Sequence, residues 1–261
     1  MKLSHILIAL AVAIITSNAA HAESSVSRFT STDVEKALAE TRSINPDQVL
    51  FSAIRYAVDV APRTWYGEGE APLSPEDEDA RRWLIATQLW QEALMPSARS
   101  EDFALPASDR AAILLALWVE ESALEYNVHA GLVSRLGTQD RGKARCMGQL
   151  RVSPFLPRAD WETLAGLDAD STGRCAEWTA AAFAAQAKHC KLRRELSRTV
   201  RWTKHLGHGE AAVLFSGYGR NICAPDARHY ARADRFIVYR DFFDSVVRTS
   251  RQRALRQEIL Q

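Results

Sequence analysis

The chain has 261 residues, with 33 lysines and arginines against 32 aspartates and glutamates. This near-neutral balance argues against general electrostatic capture of nucleic acid or of an anionic membrane. The length suits one large domain, or one domain with an extension.

The N-terminal segment has the pattern of a secretory signal peptide. Lys2 precedes the apolar run ILIALAVAII, and the small residues AHA end at Ala22. We therefore predict that residues 1–22 are removed and that the protein is periplasmic or secreted. A membrane anchor is the alternative, although the apolar run is short for a spanning helix. Cleavage would remove Lys2 and no acid, so that basic and acidic side chains balance at 32 each.

Helical patterns dominate the rest of the chain. The clearest start is at Ser74, where an N-cap serine is followed by Pro75 and by acids in the first turn. Residues 131–160 differ, because glycines, prolines and mixed charge there predict loops or short strands. The pattern favours a mainly α fold. We predict helices over 31–43, 44–60, 74–95, 106–126, 170–192, 194–204, 208–216 and 226–258.

Four cysteines, an even number in a chain predicted to be exported, indicate two disulfides. Cys175 and Cys190 share one predicted helix and would lie roughly 22 Å apart along it. Disulfide Cα atoms lie within about 7 Å of each other, so these two cysteines should not pair. We favour Cys146–Cys175 and Cys190–Cys223, and the crossed pairing stays open.

Two adjacent acids end the most apolar predicted helix, ILLALWVEES. At about 100° per residue, Glu121 falls within the stripe of Leu117, Leu114 and Trp118, whereas Glu120 falls toward its edge. We therefore expect Glu121 to be buried or to line a cleft, and Glu120 to be solvated. Burial would favour the protonated form of Glu121, which suits a general acid. The alternative is a glutamate at the rim, paired with an arginine or lysine.

Three segments, in order, resemble those of the lytic transglycosylase and goose-type lysozyme superfamily. WVEESALEYNV is similar to the helix in which a catalytic glutamate precedes serine, here Glu121 and Ser122. ARCMGQLRVSP resembles the Gly-Leu-Met-Gln-Ile segment, with Cys146 where glycine is usual. EAAVLFSGYGRNIC resembles the Ala-x-x-Tyr-Asn-x-Gly segment, with Phe215 and Ser216 where Tyr-Asn is common. The resemblance covers roughly residues 108–225.

The resemblance implies a soluble, lysozyme-like helical domain that cleaves the β-1,4 bond between N-acetylmuramic acid and N-acetylglucosamine in peptidoglycan. Glu121 would act alone as acid and then base, giving a 1,6-anhydro product without a metal or cofactor. We expect an N-terminal helical extension over 23–105, the catalytic domain over 106–225 and a C-terminal helix over 226–261. The substrate-binding positions implied are Ser122, Met147, Gln149, Phe215, Ser216 and Tyr218. Of these, Ser122 and Gln149 would position the glutamate or the sugar amides, and Phe215 and Tyr218 would wall the cleft.

Three alternatives remain. A hydrolytic, lysozyme-like muramidase needs a second acid, for which Asp140 is the candidate. A catalytically inactive peptidoglycan-binding protein could keep the same fold, and the departure at Phe215 and Ser216 favours it. The third is an exported, disulfide-linked helical module with an unrelated partner.

Two other patterns do not indicate a catalytic or metal site. His205, His208 and Glu210 match no strong zinc signature, and the glycines between them predict a turn and an N-cap. The C-terminal segment carries eight arginines and five acids from residue 226 onward. We predict a docked amphipathic helix with a solvated end, and contact with an anionic wall polymer or a partner protein is the alternative.

Overall fold

The computed structural model describes residues 28–41, 43, 45–61, 73–100, 105–132, 143–192, 206–218 and 223–259. The predicted signal peptide and the predicted helix over 194–204 lie outside these residues. The helices are α1 Ser31–Ala39, α2 Pro46–Val60, α3 Pro75–Leu94, α4 Ala107–Ser122, α5 Tyr126–His129, α6 Arg158–Glu162, α7 Ala169–Leu192, α8 His208–Gly217 and α9 Ala227–Ile259. Two short strands, β1 Ala144–Arg145 and β2 Leu150–Arg151, pair in antiparallel fashion. The predicted mainly α fold is confirmed.

The N-terminal helices begin where the capping residues predict. Thr30 and Asp33 form a reciprocal capping box at α1, and the Asn45 and Ser74 side chains accept backbone N–H bonds at the starts of α2 and α3. A proline follows each of the latter two caps. Such caps satisfy N–H groups that have no partner within the helix.

Helix α4 lies at the centre of the fold. Every residue from Ala111 to Val119 is buried, and α4 packs against α3, α7 and α9. One hydrophobic core extends from Val34 in α1 to Val246 in α9. The predicted N-terminal extension therefore contributes helices to the same core as the predicted catalytic domain, because α2 packs on α9 and α3 packs on α7.

Helix α9 matches the predicted docked helix with a solvated end. It contacts α1, α2, α4 and α8. Its buried positions extend from His229 to Ser250, and residues 251–259 are exposed apart from the half-buried Ala254. No helix in the described part of the chain combines the length and the apolar character needed to cross a membrane.

Both disulfides have the favoured pairing. Cys146 is joined to Cys175 with Cα atoms 6.1 Å apart, and Cys190 is joined to Cys223 with Cα atoms 5.4 Å apart. The first ties the turn between β1 and β2 to α7. The second ties the segment before α9 to the other end of α7, so that α7 supports both neighbouring segments.

A buried ionic cluster links α3 to α5 and α7. Glu78 accepts hydrogen bonds from Arg81 at 2.7 and 2.8 Å and from Arg82 at 2.7 Å. Burial alone would raise the pKa of Glu78, but the bonds and charges of the two arginines lower it below its usual value. One carboxylate thus neutralises part of the charge of two buried guanidinium groups.

His129 occupies the other side of this cluster. Its Nε2 lies 2.8 Å from the Thr172 hydroxyl, and its Nδ1 lies 3.5 Å from Arg81 Nη1. Burial, together with the Arg81 charge, lowers the pKa of His129 to about 3. The imidazole is therefore neutral in the folded protein near neutral pH.

We expect Glu78→Gln to lower the free energy of unfolding by about 3–5 kcal/mol, because it leaves two buried guanidinium groups without a carboxylate. Urea unfolding measures the change. Glu76→Gln, at an exposed position of the same turn, is the control and should change stability by about 0.5 kcal/mol or less. Equal losses in the two variants would contradict the assigned role of Glu78.

The neutral state of His129 predicts a loss of stability in acid. The unfolded chain binds a proton at His129 below about pH 6.5, whereas the folded chain does so only near pH 3. The stabilising contribution is therefore complete above pH 6.5 and is lost as the pH falls toward 3. Between pH 7 and pH 5, the wild type should lose more free energy of unfolding than His129→Gln. Parallel losses in urea titrations at both pH values would show that this residue does not cause the effect.

Candidate active-site groove

A groove of about 750 Å³ opens between α7, the β1–β2 hairpin and the start of α9. One wall is a stripe of α7 that runs from Trp178 through Ala182 to His189. Eleven residues of helix separate Trp178 from His189, which corresponds to about 16 Å. The two alanines on this stripe, Ala182 and Ala185, leave open space between larger side chains at its ends. The groove therefore extends for about 16 Å along α7.

Glu121 lines this groove from the last turn of α4. The helix ends there because Ala123 and Leu124 both adopt left-handed backbone conformations, with φ of 52° and 57°. Ser122 supports the turn, since its hydroxyl donates to the Trp118 carbonyl at 2.7 Å and accepts from the Leu124 N–H at 3.2 Å. This local structure holds the Glu121 carboxyl at the end of a rigid, buried helix.

Helix α9 places one arginine against each glutamate of α4. Arg232 Nη2 lies 2.5 Å from Glu121 Oε1, with side chains 17% and 22% exposed. Arg235 Nε donates to Glu120 Oε1 at 2.7 Å, with side chains 12% and 24% exposed. Glu121 therefore lines a cleft, as predicted, and also has the arginine partner of the alternative hypothesis. The prediction that Glu120 is solvated is corrected, because its ion pair with Arg235 leaves it only partly exposed.

Tyr218 lies beside Glu121 at the base of the groove. Its hydroxyl donates to the Gly148 carbonyl at 2.7 Å. Burial raises the pKa of Tyr218 well above its usual range, and the negative charge of Glu121 raises it further. The phenol thus stays protonated and keeps the hairpin turn close to α8.

Gln149 reaches the groove from the turn between β1 and β2. Its backbone N–H and its side-chain Nε2 both donate to the Cys146 carbonyl, at 2.9 and 3.1 Å. Cys146 and Gln149 have positive φ angles of 55° and 49°. Backbone in this region is unfavourable for residues other than glycine, and the disulfide and tertiary packing hold it in place. The turn brings an amide side chain to the groove that holds Glu121.

The two ends of the groove differ in chemistry. At one end, the half-exposed Phe155 (44%) packs edge-on against Trp178 with ring centroids 5.5 Å apart. At the other end, Asp226 caps α9 by accepting the Arg228 N–H at 2.9 Å, and Arg228, His229 and His189 line the cavity. One end therefore offers aromatic surface and the other offers charged and polar groups.

Four predicted site residues lie in the core instead of the groove. Ser122, Met147, Phe215 and Ser216 have no exposed surface. Phe215 packs between Phe183 and Phe236, with centroid distances of 5.3 and 6.3 Å. The expectation that Phe215 walls the cleft is therefore corrected, because its position on α8 faces inward. Ser216 donates to the Val213 carbonyl at 2.6 Å within the same helix and is fully buried.

Glu121, Gln149 and Tyr218 are the predicted residues that the structure brings together in the groove. Asp140 and His205 lie outside the described residues. His208 pairs with Asp234 at 2.8 Å, and Glu210 accepts the Gly207 N–H at 2.9 Å as part of the cap of α8. Within the described ranges, no group of His, Cys, Asp and Glu side chains could hold a metal ion.

Sequence reasoning did not find the groove residues contributed by α9. Arg232 and His229 lie on a helix predicted only to dock on the domain, and no motif distinguishes them from the other arginines of the segment. Their spacing of three residues places both on one face of α9, which a helical projection could have found. Which element that face meets depends on the tertiary fold.

Comparisons of the chain with protein-family models, with curated proteins and with solved structures return no match. The groove and the three motifs are therefore the features that bear on function.

Gly148→Ala should destabilise the protein, because the new Cβ would lie 2.2 Å from Thr179 Oγ1 and 3.1 Å from the Tyr218 hydroxyl. Thr179 has little freedom to move, since it accepts from Trp118 Nε1 at 3.1 Å and donates to the Cys175 carbonyl at 2.6 Å. We expect a loss of about 1–3 kcal/mol in urea unfolding. Gly209→Ala is the control, because a Cβ there meets nothing within 4 Å and should stabilise α8 slightly. Unchanged stability of Gly148→Ala would contradict the close packing of the turn.

Proposed function

We propose that the protein is an exported peptidoglycan lytic transglycosylase that uses Glu121 as its single acid and base. The observation that carries the proposal is that Glu121, Gln149 and Tyr218 line the same elongated groove. These positions come from three separate motifs, spread over almost a hundred residues, that resemble the catalytic glutamate, glutamine and tyrosine segments of that superfamily.

The groove chemistry suits a glycan. Sugar rings stack on aromatic faces and hydrogen-bond through hydroxyl and amide groups. The half-exposed Phe155 offers aromatic surface, with the buried Trp178 packed against it, and Gln149 offers an amide. An elongated groove open to solvent accepts a strand longer than a single sugar, in keeping with a polymeric substrate.

In the proposed reaction, protonated Glu121 donates its proton to the glycosidic oxygen between N-acetylmuramic acid and N-acetylglucosamine. The bond from C1 to that oxygen breaks, and the muramoyl C6 hydroxyl oxygen bonds to C1. The hydroxyl proton passes to the Glu121 carboxylate, which restores the acid and leaves a 1,6-anhydro end. Glu121 loses one proton and regains one in each cycle, so the proposed reaction requires neither a second carboxyl nor a cofactor.

The proposed location is the periplasm or the cell exterior. The two disulfides support an oxidising compartment, and the N-terminal sequence has the pattern of a secretory signal. Peptidoglycan glycan strands are the proposed partner, and nucleic acid is not, given the balanced charge of the chain.

One observation favours a second candidate, a peptidoglycan-binding protein without catalytic activity. The ion pair between Arg232 and Glu121 requires a carboxylate, whereas a general acid must carry a proton. A hydrolytic muramidase is a third possibility, and its products would have reducing muramic acid ends.

We expect Glu121→Gln to abolish release of 1,6-anhydro-muropeptides from purified peptidoglycan, with a fall of about 10²- to 10⁴-fold in rate. Mass spectrometry of the soluble products measures this release. Glu120→Gln is the matched control, because Glu120 is equally exposed and also pairs with an arginine; it should keep most of the activity.

Each contrary outcome has a distinct meaning. Retention of activity in Glu121→Gln would rule out the assigned acid. Reducing muramic acid ends would indicate hydrolysis. Binding of insoluble peptidoglycan by wild type without any soluble product would support the inactive binding protein.

A further inference from the structure

The ion pair between Arg232 and Glu121 is the closest charged contact in the groove. The Arg232 guanidinium lies 2.5 Å from the Glu121 carboxyl, and both side chains line the cavity. A partly buried carboxyl loses hydration, which disfavours its charged form, whereas a guanidinium at this distance favours that form. Arg232 therefore places a positive charge directly against the residue that the proposed reaction needs as an acid.

Other charged or titratable groups lie near Glu121 on α4, directly after α8, and along the groove. On α4, Glu120 is neutralised by Arg235. After α8, Tyr218 stays protonated and contributes no charge. The remaining titratable or charged groups of the groove are Arg151, His189, Asp226, Arg228 and His229. Asp226 lies 2.8 Å from His229 Nδ1, and Arg232 is the group that bonds directly to the Glu121 carboxyl.

We propose that Arg232 is a positioning residue that holds the Glu121 carboxyl at the groove wall and whose adjacent positive charge acts on the proton that Glu121 transfers. The inference rests on the proposed function only in naming Glu121 as the acid. Its consequence is an asymmetry between the two proton transfers. The guanidinium stabilises the carboxylate, so it favours the step in which the acid donates its proton and disfavours the step in which the carboxylate accepts a proton from the C6 hydroxyl.

The structure offers a matched control for this role. Arg232 and Arg235 are three residues apart on α9, each binds a glutamate of α4, and they differ in that Arg232 lines the groove. Removing either side chain breaks one ion pair between the same two helices. An effect on stability alone should therefore be similar in Arg232→Gln and Arg235→Gln, whereas an effect on the proton of Glu121 should appear only in the first.

The test combines two measurements on the full-length mature protein. The first is kcat/KM for anhydro-muropeptide release as a function of pH in wild type, Arg232→Gln, Arg232→Lys and Arg235→Gln. The second is the ¹³C NMR titration of the Glu121 side-chain carboxyl, with the resonance assigned by its absence in Glu121→Gln. The second measurement does not depend on activity.

In Arg232→Gln, we expect the fall in kcat/KM toward high pH and the midpoint of the carboxyl titration both to move upward by about one pH unit or more, since an adjacent opposite charge has an effect of that size. Arg232→Lys keeps the charge but not the guanidinium geometry, so its shift should be smaller than that of Arg232→Gln, whereas Arg235→Gln should behave like wild type. Coincident titrations of Arg232→Gln and Arg235→Gln would overturn the inference. If no variant releases products, the proposed function fails, and the carboxyl titration still decides the role of Arg232.

Discussion

The burial of α4 is the constraint on which the rest of the structure depends. Nine consecutive residues, Ala111–Val119, are removed from water, which requires neighbours on all sides of the helix. Helices α3, α7 and α9 supply them. A helix enclosed in this way must bring its last turn to the edge of the core, where two glutamates need partners. The two arginines of α9 meet that need, since an unpaired and partly buried carboxylate is costly.

The same burial explains why the candidate site is rigid. Glu121 is attached to a helix that cannot shift without disturbing the core, and the left-handed residues after Ser122 turn the chain away at once. The opposite wall is held by Cys146–Cys175, and the start of α9 is held by Cys190–Cys223. Both disulfides end on α7, so this helix aligns the turn that carries Gln149 with the end of α9 that carries Arg232. Groups held on rigid elements keep the geometry that the proposed proton transfer needs.

Much of the local structure could be predicted from the sequence because it depends on neighbouring residues. The caps at Thr30, Asn45 and Ser74 define helix starts through contacts within three residues. The length of α7 excluded a bond between Cys175 and Cys190 and left two pairings, of which the structure has the favoured one. The helical projection correctly placed Glu121 toward a cleft. It was wrong for Glu120, because a projection of one helix contains no information about an arginine on another helix that follows more than a hundred residues later.

The motifs predicted which segments contribute to the site, but they did not predict which side chains of those segments reach the groove. Phe215 and Ser216 belong to a segment that resembles a catalytic one, yet both face the core because α8 packs against α7 and α9. Tyr218, three residues after Phe215, lies beside Glu121 instead. The sequence by itself determined the mainly helical class, the exclusion of a bond between Cys175 and Cys190, and the apolar character of α4, since these follow from local spacing and helix geometry. Only the tertiary structure decided which side chains share the groove and which charge faces Glu121, because those contacts join residues distant in sequence whose meeting depends on how the helices pack.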